Sequence, residues 1–371
     1  MKVRYSYLPQ KFKGCMDPGH PIYEGFRQLL TSGDFTLGKA VQDFESKFAE
    51  LVGAKYAIGV ANGTDALRIG LRAVGVRPGD EVITAANTFV ASAGCIDELF
   101  ATPRFVDVDR NYVLNAALLE KAITPNTKAI VPVWFTGEPP DMDLIMKIAD
   151  KYGIPVVEDA CQAVLAEYKG KCAGTFGATG AFSLHPLKNL NVWGDGGMIT
   201  TNDDKIYEWI KLYRNHGMLN RDEVAFFGCN SRLDSLQAIV GNYLIQETKT
   251  TVAQRRANAY YYDRHLRKVP GVHLIDRLDI SRSCFHLYMF EVDEAIRNDL
   301  VTFLQDQGIE AKVHYPIPLQ RALKNLGYTR EDFPMAHRQS DRIVTLPVDE
   351  HITKEEQNYC IDSIKKFMGK K

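Results

Sequence analysis

The sequence predicts an α/β protein built on a mainly parallel sheet, followed by a smaller α+β unit. Short, continuous apolar segments alternate with helical patterns between Gly38 and about Thr201. Strands of this kind are typical of parallel sheets that are covered by helices on both faces. The 371 residues also suffice for about two domains at roughly 150 residues each.

The first half of the chain supplies strands and covering helices in turn. Apolar residues recur at helical spacing from Val41 to Leu51, which predicts a helix over Gly38–Val52. The predicted strands are Tyr56–Val60, Glu81–Ala85, Arg104–Val108, Ala129–Trp134, Pro155–Glu158, Ala181–Leu184 and Met198–Thr201. The predicted helices between them are Thr64–Val74, Phe89–Phe100 and Asp141–Tyr152.

After Asp204 the pattern changes to longer helices with short strands between them. No Pro or Gly interrupts the chain from Asn242 to Leu266, so a long helix over Ser231–Leu266 is expected to join the two units. The other predicted helices are Lys205–Asn215, Ala295–Gln307 and Lys354–Phe367, and the predicted strands are Val272–Ile275, Cys284–Glu291 and Ala311–Tyr315. We therefore predict a large domain over residues 1–245 and a small domain over residues 246–371.

Charge and cysteine content argue against several classes of protein. The 45 Lys and Arg balance 46 Asp and Glu, so no bulk attraction to nucleic acid or anionic membrane is expected. The longest apolar run, Ala129–Phe135, is far shorter than the roughly 20 residues of a membrane span, and Met1–Cys15 lacks the apolar region of a secretory signal. Seven scattered cysteines and nine histidines form no metal-binding motif. A cytoplasmic protein without a metal is expected.

Two groups of polar residues follow predicted strands, where α/β folds place their ligands. Gly63-Thr64-Asp65 opens a helix, and its free N–H groups suit a phosphate, although Thr64 or Asp65 acting as a helix cap is the simpler interpretation. Glu158 and Asp159 follow another strand, and Asp159 suits a cationic nitrogen. Acidic residues that merely stabilise a helix N-terminus are an equally good interpretation of this pair.

A lysine follows a third strand. Lys188 lies between the apolar strand that ends near Leu184 and the glycine-rich turn Gly194–Gly197. If the turn directs Lys188 into a cleft, desolvation lowers its pKa and makes its amine a nucleophile. A solvated surface lysine is the alternative.

These segments, taken in order, resemble the DegT/DnrJ/EryC1/StrS family of sugar aminotransferases. The family has the aspartate-aminotransferase-like fold (type I) and uses pyridoxal 5′-phosphate (PLP). The resemblance extends over nearly the whole chain. Further matching segments are Phe35–Gly38, Arg77–Val82, Pro139–Asp143, Arg214–Gly217, Asn230–Asp234 and His314–Leu319.

The resemblance implies roles for individual residues around the cofactor. Lys188 matches the lysine that forms the Schiff base with PLP and shuttles the proton. Asp159 matches the carboxylate that pairs with the pyridine nitrogen. Gln162 matches a residue near the ring hydroxyl, and Phe89 matches an aromatic ring stacked on the cofactor. The residues that match the phosphate cradle are Gly63, Thr64 and Ser183.

The resemblance also implies partners. Asn230 matches a residue that reaches the phosphate from the neighbouring subunit, which implies a homodimer with shared active sites. His314 and Tyr315 lie in a segment that lines the sugar pocket in the family. The implied reaction transfers an amino group from glutamate or glutamine to a keto-sugar, usually nucleotide-linked, for a surface polysaccharide such as lipopolysaccharide or for a glycosylated metabolite.

Two alternatives share this fold. A PLP-dependent sugar dehydratase is associated with a histidine in place of the lysine, so Lys188 argues against it. A non-catalytic regulatory protein would be expected to lose Lys188, Asp159 or Gln162. The chain departs from the family pattern at Trp134 and Trp193, which either reshape the sugar pocket or fill core volume; the sequence leaves both interpretations open.

Overall fold

The computed structural model describes residues 1–277, 280–319 and 326–369. The helices of its first half are α1 (Leu8–Lys11), α2 (Pro21–Ser32), α3 (Lys39–Val52), α4 (Gly63–Ala73), α5 (Ala91–Asp97), α6 (Ala116–Ala122), α7 (Met142–Tyr152) and α8 (Asp204–Tyr213). The strands are β1 (Tyr56–Val60), β2 (Glu81–Ala85), β3 (Thr102–Val106), β4 (Thr127–Val131), β5 (Val157–Asp159), β6 (Glu167–Tyr168), β7 (Lys171–Cys172), β8 (Thr179–Ser183) and β9 (Gly197–Thr201).

These strands build a mainly parallel central sheet, as the sequence predicts. One part has the order β3-β2-β4 and the other has the order β5-β8-β9-β1. A parallel bridge between Ile130 and Val156 joins the two parts. Strand β9 runs antiparallel to both β8 and β1, whereas the other described pairs in this sheet are parallel. The carboxyl ends of β1, β5 and β8 therefore lie along the same edge.

Helices cover both faces of the sheet and thereby bury most of the strand residues. Helix α3 places Phe44 and Phe48 in one apolar cluster, where the Phe48 ring lies 5.0 Å from the ring of Phe182 in β8. Helix α4 places Leu67 and Ile69 in a second cluster. Burial of apolar side chains on both faces stabilises the sheet and holds its edges in place.

The second half of the chain contributes α9 (Ser235–Leu244), α10 (Thr248–Leu266), β10 (His273–Leu274), β11 (Ser281–Arg282), β12 (Tyr288–Glu291), α11 (Glu294–Asp306), α12 (Pro334–Arg342), β13 (Ile343–Leu346) and α13 (Lys354–Met368). An antiparallel sheet of order β10-β12-β13 packs with α10, α11 and α13 around a separate apolar cluster that contains Tyr262, Phe290 and Ile361. Among the described residues, no helix is both long and apolar enough to cross a membrane.

The predicted long helix over Ser231–Leu266 is wrong. A 3₁₀ turn over Ile245–Glu247 separates α9 from α10, and α9 begins only at Ser235. Thr248 contributes to the interruption, because its hydroxyl donates a 3.0 Å hydrogen bond to the carbonyl of Leu244, the last residue of α9. The predicted strand over Ala311–Tyr315 is wrong as well, since only Lys312 pairs there, through an isolated bridge to Thr345.

The first residues of the chain pack with the C-terminal unit. Val3 forms a parallel bridge with Ile309, and Val3 and Tyr7 belong to the C-terminal apolar cluster. The Tyr7 hydroxyl donates a 2.6 Å hydrogen bond to Glu356. The division at residues 245 and 246 stays a prediction, and residues 278–279, 320–325 and 370–371 of the predicted small domain lie outside the described part of the chain.

Candidate active site

A cavity of about 460 Å³ lies at the carboxyl ends of β1, β5 and β8. Its walls include almost every site residue that the sequence predicts. Those in the cavity are Gly63, Thr64, Phe89, Asp159, Gln162, Ser183, Lys188, His314 and Tyr315. Asn230 lies outside it, on the exposed surface, where its backbone pairs with Asn215. The fold therefore brings together residues separated by up to about 250 positions in the sequence.

Asp159 ends β5 as a buried carboxylate that only neutral groups contact. Its Oδ2 accepts a 2.6 Å hydrogen bond from the Ser92 hydroxyl, which lies 2.9 Å from the Thr88 hydroxyl. Its Oδ1 accepts a 3.2 Å bond from the Cys161 N–H. In the part of the chain that the structure describes, Asp159 has no ion-pair partner, although it is only 5% exposed. A buried carboxylate of this kind fits a cationic ring nitrogen of a ligand.

Lys188 follows β8 and contributes its amine to the same cavity. The backbone N–H of Lys188 donates a 2.8 Å hydrogen bond to the carbonyl of His185, which fixes the turn that carries the side chain. Desolvation lowers the pKa of Lys188, and the nearby charge of Asp159 partly opposes this effect. A larger fraction of the amine is therefore neutral than in a solvated lysine, so it can act as a nucleophile and as a base.

The start of α4 offers hydrogen-bond donors for an anion. The N-cap is Asn62, whose side-chain oxygen accepts a 2.8 Å bond from the Asp65 N–H, so the interpretation that Thr64 or Asp65 caps the helix is wrong. The N–H groups of Gly63 and Thr64 have no acceptor within the helix. A Cβ on Gly63 would lie 2.8 Å from the Cβ of Ser183, so glycine allows the Ser183 hydroxyl to approach these donors.

These features fit the cofactor that the resemblance implies. The cavity offers a nucleophilic amine, a buried carboxylate for a pyridine nitrogen, and backbone and hydroxyl donors for a phosphate. Gln162 is held in place because its side-chain oxygen accepts a 2.7 Å bond from the Thr136 N–H. Phe89 is half exposed at the cavity wall, where its ring lies 6.1 Å from the Tyr315 ring.

Glu158, next to Asp159, has a structural role. Strand alternation directs it away from the cavity, where its carboxylate accepts four hydrogen bonds of 2.6–3.0 Å from Trp134 Nε1 and the backbone N–H groups of Gly174, Phe176 and Gly177. Burial raises the pKa of Glu158, and these donors oppose the rise. Glu158 thus ties β5 to the loop before β8.

Of the two departures from the family pattern, Trp134 is a core residue and Trp193 is a half-buried residue that packs against the core. Trp134 is fully buried and donates its indole N–H to Glu158. Trp193 packs edge-on against Phe12 and Phe26, with ring centroids 5.5 and 5.8 Å away. Neither tryptophan is among the residues that line the cavity. The core-filling interpretation therefore applies to both side chains.

Several cavity residues were not predicted from the sequence. Ser92 contacts Asp159 directly, whereas Thr88, Tyr5, His286 and Lys312 line the cavity. Thr88 lies just beyond β2, so the strand-end pattern that identified Asp159 could have found it. No comparable sequence pattern connects Tyr5 with His286 and Lys312, which lie more than 280 positions further along the chain. Their proximity follows from the packing of the first residues against the C-terminal unit.

Two more ionisable residues in the cavity lining are neutral near pH 7. Burial, helped by the charges of Lys312 and Lys188, lowers the pKa of His314 to about 4, and its Nδ1 lies 3.0 Å from the Thr345 hydroxyl. Burial raises the pKa of Tyr315 to about 12. Both side chains can therefore act as neutral hydrogen-bonding groups towards a polar substrate.

One acidic cluster has the ligand types of a metal site, but cations of the protein already neutralise it. Asp349, Glu350 and His351 have ligand atoms within 4.8 Å of one another. Arg255 lies 2.9 Å from Glu350 and 3.6 Å from Asp349, and Lys11 lies 3.1 Å from Glu350. The cluster is better explained as an ion-pair network that anchors the C-terminal unit.

Comparison with known proteins shows similarity along almost the entire chain. Residues 19–365 match the model of the DegT/DnrJ/EryC1/StrS aminotransferase family. The chain is 40% identical to UDP-2-acetamido-2-deoxy-3-oxo-D-glucuronate aminotransferase from Pseudomonas aeruginosa over 89% of this chain and 91% of the relative. It is 38% identical to a protein named pleiotropic regulatory protein from Geobacillus stearothermophilus, over 92% of each chain.

The fold is also that of a solved enzyme. The crystal structure of DesV from S. venezuelae, in complex with a ketimine intermediate, superimposes with a TM-score of 0.94. The superposition covers 99% of this chain and 98% of the DesV chain, at 32% sequence identity. This similarity confirms the type I fold that the sequence predicts.

Removal of the Glu158 carboxylate is expected to destabilise the fold. Glu158→Ala leaves four buried donors without an acceptor, so we expect a loss of about 3 kcal/mol or more in the free energy of unfolding. Glu50→Ala, which removes an exposed carboxylate, is the control and is expected to change it by less than about 0.5 kcal/mol. Denaturant unfolding measures both, and equal stability of the two variants would contradict the assigned role of Glu158.

Lys188 is expected to react at lower pH than ordinary lysines. Only the neutral amine is nucleophilic, and its pKa is below the ordinary value of 10.5, so the rate at which the cofactor-free protein captures PLP should reach half its maximum below that pH. Stopped-flow absorbance across a pH series measures the rate, with Nα-acetyl-lysine as the reference because its α-amine is blocked. A midpoint equal to that of Nα-acetyl-lysine would show that desolvation does not act on this amine.

Proposed function

We propose that this chain, which belongs to the DegT/DnrJ/EryC1/StrS aminotransferase family, transfers an amino group from glutamate or glutamine to a nucleotide-linked keto-sugar. The chain is a sugar aminotransferase, and its cofactor is pyridoxal 5′-phosphate. The observation that carries the proposal is the presence of Lys188 and the buried Asp159 carboxylate in one cavity. This pair provides the amine and the counter-charge that such a transfer needs.

When bound, the cofactor would supply an electron sink for the reacting substrate carbon. Asp159 would keep the pyridine nitrogen protonated, and the Ser92 hydroxyl orients the Asp159 carboxylate through its 2.6 Å hydrogen bond. Lys188 would hold the cofactor, and its free amine would take up and return the substrate proton as general base and acid. Its desolvated environment favours the neutral amine that this role requires.

The other predicted residues complete the cofactor site. The N–H groups of Gly63 and Thr64, with the Ser183 hydroxyl, would hold the phosphate at the start of α4. Gln162 would contact the ring hydroxyl, and Phe89 would pack against the ring. Together these residues would position the cofactor for the transfer.

His314 and Tyr315 line the part of the cavity that receives the sugar. Both are neutral near pH 7, so they suit hydroxyl groups of a sugar as hydrogen-bonding partners. The nucleotide link is inferred from the Pseudomonas aeruginosa relative, whose name specifies a UDP-linked 3-oxo sugar. The product would be an amino sugar for a surface polysaccharide, such as lipopolysaccharide, or for a glycosylated metabolite, made in the cytoplasm.

A homodimer with shared active sites is part of the proposal. Asn230 is exposed, and it follows a segment with apolar side chains on the surface, including Phe227, which is 97% exposed. Exposed apolar side chains of this kind are typical of protein interfaces. In a twofold dimer this segment would lie against the partner, so that Asn230 reaches the phosphate in the partner's cavity.

A regulatory role is the second candidate, and the name of the Geobacillus stearothermophilus relative is the observation that favours it. A protein that had lost the chemistry would be free to lose the residues of the site. This chain keeps Lys188, Asp159 and Gln162 in one cavity, which favours an enzyme. Lys188 also argues against a dehydratase, which is associated with a histidine at that position.

An absorption spectrum tests the first half-reaction. The purified protein with PLP should show a visible band that glutamate or glutamine converts to the near-ultraviolet band of the pyridoxamine form. Borohydride reduction followed by peptide mapping should locate the cofactor on Lys188. A band that ignores both amino acids would contradict these donors, and cofactor found on another lysine would contradict the assignment of Lys188.

Neutralisation of Asp159 is expected to slow both half-reactions. Asp159→Asn removes the charge that keeps the ring nitrogen protonated, so we expect each rate to fall by about 100-fold or more. Stopped-flow measurement with donor alone, and then with keto-sugar, follows the two halves separately. Asp306→Asn, which makes the same change at an exposed position on α11, is the control. Unchanged rates in Asp159→Asn would refute the role in pairing with the nitrogen.

Complementation between variants tests the shared site. If Asn230 serves the partner's cavity, a heterodimer of Lys188→Ala and Asn230→Ala chains has one site with both substitutions and one intact site. Random assembly then leaves roughly one quarter of all sites intact. Co-expressed chains should therefore be more active than the mean of the two separate variants. Activity equal to that mean would place both residues in the same subunit's site.

A further inference from the structure

Lys312 lines the active-site cavity, yet the proposed transfer of the amino group does not use it. It is exposed, and its ammonium group lies over the ring of Tyr5, 3.9 Å from the ring centroid. Within residues 1–277, 280–319 and 326–369, no carboxylate lies within ion-pair distance (4.0 Å) of this ammonium group. The cavity wall thus carries a positive charge that the described protein groups leave unneutralised.

The position of Lys312 is fixed by backbone hydrogen bonds. Its N–H donates a 3.0 Å bond to the carbonyl of Thr345 in β13, and the Thr345 N–H returns a 2.8 Å bond. Tyr5 is also fixed, because its N–H donates a 2.8 Å bond to Glu310. The cation and the ring beneath it come from distant parts of the chain and are held together before any ligand binds. Preorganisation of this kind reduces the entropy lost on binding.

Among the charged groups of the cavity lining, Lys312 is the cation that is free to bind an anion. The other lysine in the lining, Lys188, is occupied by the cofactor in the proposed function. Histidines 286 and 314 have lowered pKa values because of burial and nearby positive charges, so neither is charged near pH 7. The acids in the lining are Asp159, which Ser92 contacts, and the exposed Asp195. The third histidine in the lining, His185, accepts a 3.3 Å hydrogen bond from the Leu187 N–H at its Nδ1, so that nitrogen carries no proton. Among the described residues of the lining, Lys312 is therefore the positive charge that an anionic substrate group would meet.

We propose that Lys312, together with the stacked ring of Tyr5, forms a subsite for an oxyanion of the acceptor substrate. The oxyanion is either the carboxylate of a keto-uronate or the diphosphate of the nucleotide link. The proposal rests on the proposed function, in which the acceptor is a nucleotide-linked keto-sugar. Of these two oxyanions, the carboxylate agrees with the name of the Pseudomonas aeruginosa relative, which is a glucuronate aminotransferase.

Stable sugars without a keto group test this subsite by binding alone. Titration calorimetry on the holoenzyme with UDP-glucuronate and with UDP-glucose compares two ligands that differ in one carboxylate. Lys312→Met removes the charge and keeps a long, flexible side chain. Lys354→Met is a matched control, because Lys354 also lies 3.9 Å above a tyrosine ring, that of Tyr261, but is not among the residues that line the cavity.

If the carboxylate binds Lys312, the wild type should prefer UDP-glucuronate by about 10- to 100-fold in Kd. Lys312→Met should abolish this preference, and Lys354→Met and the conservative Lys312→Arg should retain it. If the diphosphate binds Lys312, Lys312→Met should weaken both ligands by similar factors, and the wild type should show no such preference. Both results support an oxyanion subsite and identify its source.

Unchanged affinity of Lys312→Met for both ligands would overturn the inference, as would failure of the wild type to bind either one. The glutamate half-reaction, followed by absorbance in the same preparations, keeps this outcome separate from the proposed function. A wild type that converts its cofactor with glutamate but shows no effect of Lys312→Met refutes the subsite alone. If Lys312→Met slowed the glutamate reaction instead, the lysine would serve the donor carboxylate and the inference would be wrong.

Discussion

The register of β5 against its neighbours is the constraint on which the whole site depends. Asp159 pairs with Ala181 of β8 and with Val133, and its backbone N–H and carbonyl bond to Pro132 and Trp134. Because side chains alternate along a strand, this register directs Asp159 into the cavity and Glu158 into the core. A slip of one residue would turn Asp159 towards the core, away from the cavity and from the Ser92 hydroxyl that orients it.

Each carboxylate then depends on the groups that its face provides. Glu158 is surrounded by donors that the loop over residues 174–177 and Trp134 supply, so it holds β5 against that loop. Asp159 receives bonds from the Ser92 hydroxyl and the Cys161 N–H, which orient it without neutralising it. The same chemical group thus stabilises the fold at one position and remains available for a ligand charge at the next.

The C-terminal unit and the first residues of the chain complete the cavity. Tyr5, Lys312 and His314 line the cavity together with the sheet-edge residues. Thr345 holds Lys312 and His314 in place, and Glu310 holds Tyr5. In the proposed reaction, the sheet edge carries the chemistry common to both substrates. The opposite wall contacts what differs between acceptors, so substrate choice can change there without altering the catalytic residues.

The sequence alone determined the sheet and the chemical types of the site. Apolar runs such as Tyr56–Val60 and Glu81–Ala85 form strands with the predicted bounds. A strand that is buried on both faces needs apolar residues along most of its length, so the run itself marks where the strand begins and ends. The ends of β1, β5 and β8 could be recognised by their polar residues, and the ordered set identified the family. Only the tertiary structure decided that α9 and α10 are separate helices and that Trp134 serves the core. It also placed Tyr5 beside Lys312. Local sequence cannot encode a contact between residues about 300 positions apart, since packing of the complete chain creates it.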